Sequence, residues 1–226
     1  MTPGILYLVG TPIGNLSDIS ARVLETLKGV SLIAAEDTRR TKQMCHHFQI
    51  ETPVIALHEH NEKVKTLELI KRLKDGEAIA LVTDAGMPVV SDPGTVLVRE
   101  ASKAGIPVTA VPGPCAAVTA LSLSGFWGER FRFEGFLPKK EKAMEEWLRR
   151  ISLEPVPVVC YESPYRLVKT LEAIRRVLGE VPVVVCRELT KLHEEVTRGS
   201  TSEVLQRYTE QSPKGECTLV FLPHPQ

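Results

Sequence analysis

Two short stretches of this chain carry side chains able to move a proton, and each follows an apolar run. Glu36 and Asp37 come directly after "SLIAA" (31–35), and His58, Glu59 and His60 directly after "PVIAL" (53–57). Carboxylates and imidazoles at the carboxyl ends of strands lie where α/β proteins hold their ligands, and an imidazole titrates near neutral pH. His-x-His also suits a metal, but no obvious third ligand accompanies it, so no metal site is expected. Cys45, Cys115, Cys160, Cys186 and Cys217 are widely spaced, with no Cys-x-x-Cys pair. They read as buried free thiols in a reducing, cytoplasmic setting.

Three further stretches bring small residues to places where a ligand could meet bare backbone. "GTPIGN" (10–15) follows the apolar run "ILYLV" as the glycine turn of a dinucleotide-binding fold would, with Asp37 about where a ribose-binding acid belongs. That fingerprint needs glycine at two later positions, and here Pro12 and Asn15 hold them. Proline adds bulk and offers no N–H where closeness is required, so a nicotinamide dinucleotide is rejected. "LVTDAGMPVVSDPG" (81–94) sets small residues and Asp84 after a buried strand, with Asp92 placed to cap the next helix. "VPGPCAAVTALSLSG" (111–125) gives a helix start bordered by Cys115, Ala116 and Ala117, narrow enough to admit a flat ring or a carboxylate.

The elements that must position these residues are legible as alternating patterns. Strands are expected at 5–9, 31–35, 53–57, 78–82 and 107–111, each nearly all apolar, as in a parallel sheet covered on both faces. A helix is expected over 61–75, with Val64, Leu67, Ile70 and Leu73 as its apolar stripe, Asn61 as cap and Gly76 as stop. Beyond the Pro-Gly-Pro at 112–114, "RFRFEGF" (130–136) alternates like a half-exposed strand, and further strands are expected at 156–161, 181–186 and 217–222. A helix over 164–178 turns Leu167, Val168, Leu171 and Ile174 to one face, with Gly179 behind it. The fold class is therefore α/β in two domains, 1–113 with a mostly parallel sheet and 114–226 with a mixed one. Asp92-Pro93, Gly113-Pro114 and Ser163-Pro164 each set a proline where a first helical turn tolerates it, leaving free N–H groups at strand ends.

Bulk properties exclude little. The 226 residues carry 28 basic and 28 acidic side chains, so an indiscriminate nucleic-acid coat protein is disfavoured. No apolar run is long enough for a bilayer span, and the first residues lack the layout of a signal peptide.

The motifs "VGTPIGNLSDIS", "AAEDTRRT", "LHEHNE", "LVTDAGMPVVSDPG", "VPGPCAAVTALSLSG", "FEGFLPKK", "YESPYRL", "RELTKLHEE" and "GECTLV" run in order from Leu6 to Val220. Together they resemble the ribosomal RNA small subunit methyltransferase I family, 2′-O-ribose methylases built on the tetrapyrrole (corrin/porphyrin) methylase fold. "AEDTRRT" and "HEHNE" are the specific ones, because they separate this branch from the methylases of tetrapyrrole biosynthesis. The resemblance implies S-adenosyl-L-methionine folded between two α/β domains of a homodimer, acting on a cytidine in the decoding region of 16S ribosomal RNA or the small ribosomal subunit. It departs in having Cys115 where many relatives carry serine or threonine.

Residue by residue, the resemblance puts Pro12 against the cofactor. Asp84, Ala85, Gly86, Met87, Pro88 and Val90 would wall its methionine side, with Cys115 and Ala116 at the hinge. Tyr161, Leu189, Gly215 and Glu216 would surround the adenine. His60 is the expected base for the ribose hydroxyl, with Asp37 as alternative base or orienting group. Arg39, Arg40, Lys139 and Lys140 supply the basic patches for RNA phosphates. Trp127, Phe131 and Phe133 could stack on a splayed base or fill a core or dimer interface. Two rival readings stand beside this one: a tetrapyrrole carbon as the acceptor, and a non-catalytic RNA-binding assembly factor.

Overall fold

The computed structural model describes residues 2–126 and 129–223, so Trp127 lies outside the described residues. Contacts divide the chain into two units, Met1–Cys115 and Ala116–Gln226. The hinge stretch 112–114 thus falls, with Cys115, at the end of the first unit.

Unit 1 runs β1 (Leu6–Val9), α1 (Ala21–Gly29), β2 (Leu32–Ala35), α2 (Thr38–His47), β3 (Val54–Ala56), α3 (Glu62–Lys74), β4 (Ile79–Val82), α4 (Thr95–Lys103) and β5 (Val108–Val111). Its strands form one sheet in the order β3-β2-β4-β1-β5, with every pair parallel. Both faces of β2 and β4 are covered, which is why those strands read as unbroken apolar runs, whereas Thr109 and Ala110 of β5 are exposed. Leu32, Ala34, Ile79 and Leu81 pack with Leu69, Leu73 and Leu97 from α3 and α4. The alternate residues Ile33, Ala35, Ala80 and Val82 pack with Val23, Leu27 and Met44 from α1 and α2. Each fully buried leucine contributes about 1.5–3 kcal/mol.

Two expectations for α3 need correction. Val64 and Leu67 are 74% and 75% exposed, and the helix instead buries Thr66, Leu69 and Leu73. A strict three-residue step falls short of a helical turn by about 60°, so Val64 and Leu73 end on opposite sides. Asn61 does not cap the helix through its side chain. Its Oδ1 accepts from the His58 backbone N–H (2.9 Å) and its Nδ2 donates to the Ala56 carbonyl (3.2 Å), which fastens the turn after β3.

Asp92 is likewise not the cap of α4, which starts at Thr95 after Gly94 at φ +121°. The cap comes from another helix: Glu62 Oε1 accepts from the N–H groups of Gly94 (3.0 Å) and Val96 (2.8 Å). A carboxylate there meets both the free donors and the positive end of the helix dipole.

Unit 2 runs α5 (Ala116–Ser124), β6 (Arg132–Phe136), α6 (Glu141–Ile151), β7 (Val158–Glu162), α7 (Pro164–Leu178), β8 (Pro182–Arg187), β9 (Glu195–Ser200), α8 (Thr201–Glu210) and β10 (Cys217–Phe221). The sheet order is β6-β7-β10-β8-β9, with β6 and β7 parallel and the other pairs antiparallel. One face buries Val158, Cys160, Val183, Val185, Leu219 and Phe221 against α6, α7 and α8, while α5 covers β7, β10 and β8. β9 is absent from the sequence reading because "EVTRGS" has a single apolar residue; it is an edge strand held by its ladder to β8. α7 begins at Pro164 after Ser163, as the proline grammar predicts. None of the five cysteines forms a disulfide, and all but the half-buried Cys115 are buried. Burial pushes the thiols of Cys186 and Cys217 up to about 11 and about 12, which keeps them protonated and unreactive.

Candidate functional site

In unit 1 the carboxyl ends of β1, β2, β4 and β5 carry the stretches singled out above. Gly10 follows β1, and a Cβ on it would lie 2.6 Å from Gly113 N, 2.7 Å from Gly113 Cα and 2.7 Å from Met87 Sδ. The glycine of "GTPIGN" therefore serves backbone-to-backbone contact inside unit 1. Thr11 then bridges Gly86 as an antiparallel pair, with N···O distances of 3.0 Å both ways. The buried Thr11 hydroxyl donates to the Thr83 carbonyl (3.2 Å), and Pro12 is buried beside it. These contacts pin the turns after β1, β4 and β5 into one surface.

The ends of β2 and β4 are also cross-linked. Asp84 Oδ1 accepts from the Asp37 N–H (3.0 Å), and its Oδ2 lies 3.5 Å from Arg40 Nη1. Burial, and then the Asp84 charge, raise the Glu36 carboxyl above its ordinary value. Burial, then Glu36 close by, push Asp92 up to about 6. Sequence reading gave Asp92 only a capping role; its acid-base character comes from contacts between β2 and the loop after β4.

Asp37 has the opposite environment. It caps α2 through Oδ1, accepting from the Arg39 N–H (2.8 Å), and holds the Arg39 guanidinium at Nε (3.2 Å) and Nη2 (2.8 Å). The Arg39 side chain, and then its backbone N–H, hold the carboxyl at about 2. A carboxylate so weakly basic fits the orienting role better than that of a base. His60 is 83% exposed, with Glu59 Oε1 beside it at 3.4 Å. His58 is more enclosed, its ring centroid 5.9 Å from that of His60, and its Nδ1 is buried without a hydrogen-bond partner among the described residues. No three His, Cys, Asp or Glu side chains gather as a metal ligand set among the described residues.

The two loops around Val90 and Leu189, which the family resemblance would set against a cofactor, share a backbone device. Val89 (φ +75°) and Ser91 (φ +65°) flank Val90, and Glu188 (φ +51°) and Thr190 (φ +66°) flank Leu189. Left-handed conformations are costly for β-branched residues, and such strain concentrates at functional loops. In unit 2, Leu189 is buried, and its loop is stapled to Gly215-Glu216. Glu188 Oε1 accepts from the Glu216 N–H (2.9 Å), and Lys191 Nζ reaches both Glu188 (2.9 Å) and Glu216 (2.8 Å). Thr190 Oγ1 is buried with no partner among the described residues. Tyr161 lies on β7 between Phe133 and Phe136, at ring distances of 5.1 and 5.6 Å. Cys217 pairs with both Glu162 and Arg187, so Tyr161, Leu189, Gly215 and Glu216 belong to one end of the sheet.

Ala85 and Val90 are exposed, Gly86 and Pro88 buried, and Met87, Cys115 and Ala116 half-buried. Arg39 and Arg40 are exposed on α2 in unit 1, Lys139 and Lys140 exposed before α6 in unit 2. Phe131 is exposed and Phe133 half-buried against Tyr161.

A five-stranded parallel unit whose strand-end turns interlock, followed by a mixed-sheet unit, is the architecture of the tetrapyrrole methylases. The family model "Tetrapyrrole (Corrin/Porphyrin) Methylases" matches residues 5–205. The crystal structure of a diphthine synthase superposes with a TM-score of 0.75 over 96% of this chain and 89% of its own, at 15% identity. Sequence relatives narrow the class. The ribosomal RNA small subunit methyltransferase I of Synechocystis sp. is 48% identical over 219 residues, 96% of this chain and 78% of that protein. The protein of the same name from Thermotoga maritima is 46% identical over 218 residues, 96% of this chain and 98% of that protein. The chain belongs to the ribosomal RNA small subunit methyltransferase I family and is a methyltransferase.

Proposed function

We propose that this enzyme transfers a methyl group from S-adenosyl-L-methionine to the ribose 2′-hydroxyl of a cytidine in the decoding region of 16S ribosomal RNA, acting as a cytoplasmic homodimer. The observation that carries the acceptor is the near-half identity to curated relatives of that name across 96% of the chain. The residues present suit the donor. It has no phosphate, so a turn with Pro12 in place of a second glycine costs it nothing. The Thr190 hydroxyl, buried without a partner among the described residues, and the strained backbone on either side of Val90 and of Leu189 offer polar and close-packed contacts.

When bound, the donor supplies a methyl on a sulfonium, already a good leaving group. The chain's own task is alignment and proton removal. Asp84 to Pro88, Val90, Pro12, Cys115 and Ala116 contribute from unit 1, and Tyr161, Leu189, Gly215 and Glu216 from unit 2. His60, exposed and lightly engaged, takes the hydroxyl proton, while Asp37 orients Arg39 at the start of α2. Asp92 is a second reading for the base, favoured by its carboxyl at about 6. Arg39, Arg40, Lys139 and Lys140 meet RNA phosphates.

Small subunits lacking the modification, incubated with labelled S-adenosyl-L-methionine, test the proposal. Label at a 2′-O-methylcytidine after nuclease digestion is the expected result. Label on a tetrapyrrole instead, or donor uptake with no transfer to RNA, would replace it with one of the rival readings.

A further inference from the structure

The outer face of α2 separates two open hollows of unit 1. One, of about 680 Å³, is walled by Pro12, Leu16 and Met44. The other, of about 410 Å³, is walled by Ile50, Pro53 and Val54. Lys42 and His46 line both. They stand four residues apart, so they are neighbours on one helical face, about 6 Å from each other along the axis. Both are exposed, and Lys42 has no ion pair among the described residues. Arg39 and Arg40, on the same helix, lean on Asp37 and Asp84. The ridge thus presents a cation and an imidazole between two hollows, each within the range of about 300–1,000 Å³ typical of small-molecule sites and partly lined with apolar side chains.

We infer that α2 is the docking ridge for a single-stranded segment of the substrate RNA, with Lys42 and His46 holding one phosphate and the nucleosides on either side of it lying in the two hollows. This rests on RNA being the methyl acceptor. A paired helix would keep successive bases stacked, whereas a splayed strand can send neighbouring bases to opposite sides of a phosphate. Exposed Leu16 on one side, and exposed Pro53 on the other, give apolar surface for base faces. Phosphate contact by Lys42 would fix register without reading sequence.

The test is the double variant Lys42→Ala/His46→Ala, assayed on small subunits. Alanine favours helix at both exposed positions, so the fold is retained, as a thermal melt will verify. KM for the subunit should rise roughly tenfold, with kcat and the Kd for S-adenosyl-L-methionine within about twofold. The salt dependence of RNA binding should lose about 0.7 in log–log slope for the missing phosphate contact. Unchanged KM and slope with active wild-type enzyme overturn the ridge alone. A change of oligomeric state on sedimentation overturns it in favour of a second copy of this chain on that face. Wild-type enzyme that binds the donor but methylates no subunit RNA removes the acceptor reading, and the ridge with it.

Discussion

Gly10 and Gly113 meet backbone to backbone: a Cβ on Gly113 would lie 2.6 Å from the Gly10 carbonyl oxygen, and one on Gly10 2.6 Å from Gly113 N. Neither side of this contact is a flexible side chain that could yield. The turns after β1 and β5 are therefore held at a separation that only two glycines allow.

Gly10→Ala and Gly113→Ala should each destabilise unit 1 by about 1–3 kcal/mol, the usual cost of overpacking where backbone must shift. Urea denaturation measures this. A melt unchanged from wild type would mean that the two turns move apart freely.

Glu62→Ala should cost about 1–2 kcal/mol, because the Gly94 and Val96 N–H groups at the start of α4 lose their carboxylate partner. Glu62→Gln should recover part of the loss. Hydrogen exchange at those two amides, faster in the alanine variant, localises the effect.

Asp92 gives a pH signature. Its folded-state carboxyl lies at about 6 against an ordinary 3.8, so the folded protein binds the extra proton between those values and loses stability as pH rises through them. Asp92→Asn removes that burden. We expect a gain of about 1–2 kcal/mol at pH 7, shrinking towards zero near pH 4. Paired denaturation curves at the two pH values decide it; an equal effect at both would mean that Asp92 ionises as freely as in the unfolded chain.

His60→Ala should lower turnover by about a hundredfold or more while leaving donor affinity nearly unchanged. Parallel loss of both would withdraw its role as base. If Asp92 fills that role, Asp92→Asn will instead abolish the acidic limb of the pH–rate profile near 6.

The sequence by itself determined the two α/β halves, nine of the ten strands among the described residues, and the stretches that crowd the strand ends of unit 1. Those rest on local signals: unbroken apolar runs for doubly covered strands, glycine and proline for turns, and motifs specific enough to point to a family. Tertiary structure decided what depends on partners distant in the chain. β9 exists because β8 offers it a ladder, and α4 is capped by Glu62, 32 residues upstream of Gly94. Asp37 and Asp92 are chemically alike, yet Arg39, its near neighbour in the chain, pins Asp37 at about 2, whereas burial beside the distant Glu36 lifts Asp92 to about 6. Residue type sets the chemistry a side chain can do; the charges and solvent that folding places around it set the chemistry it does.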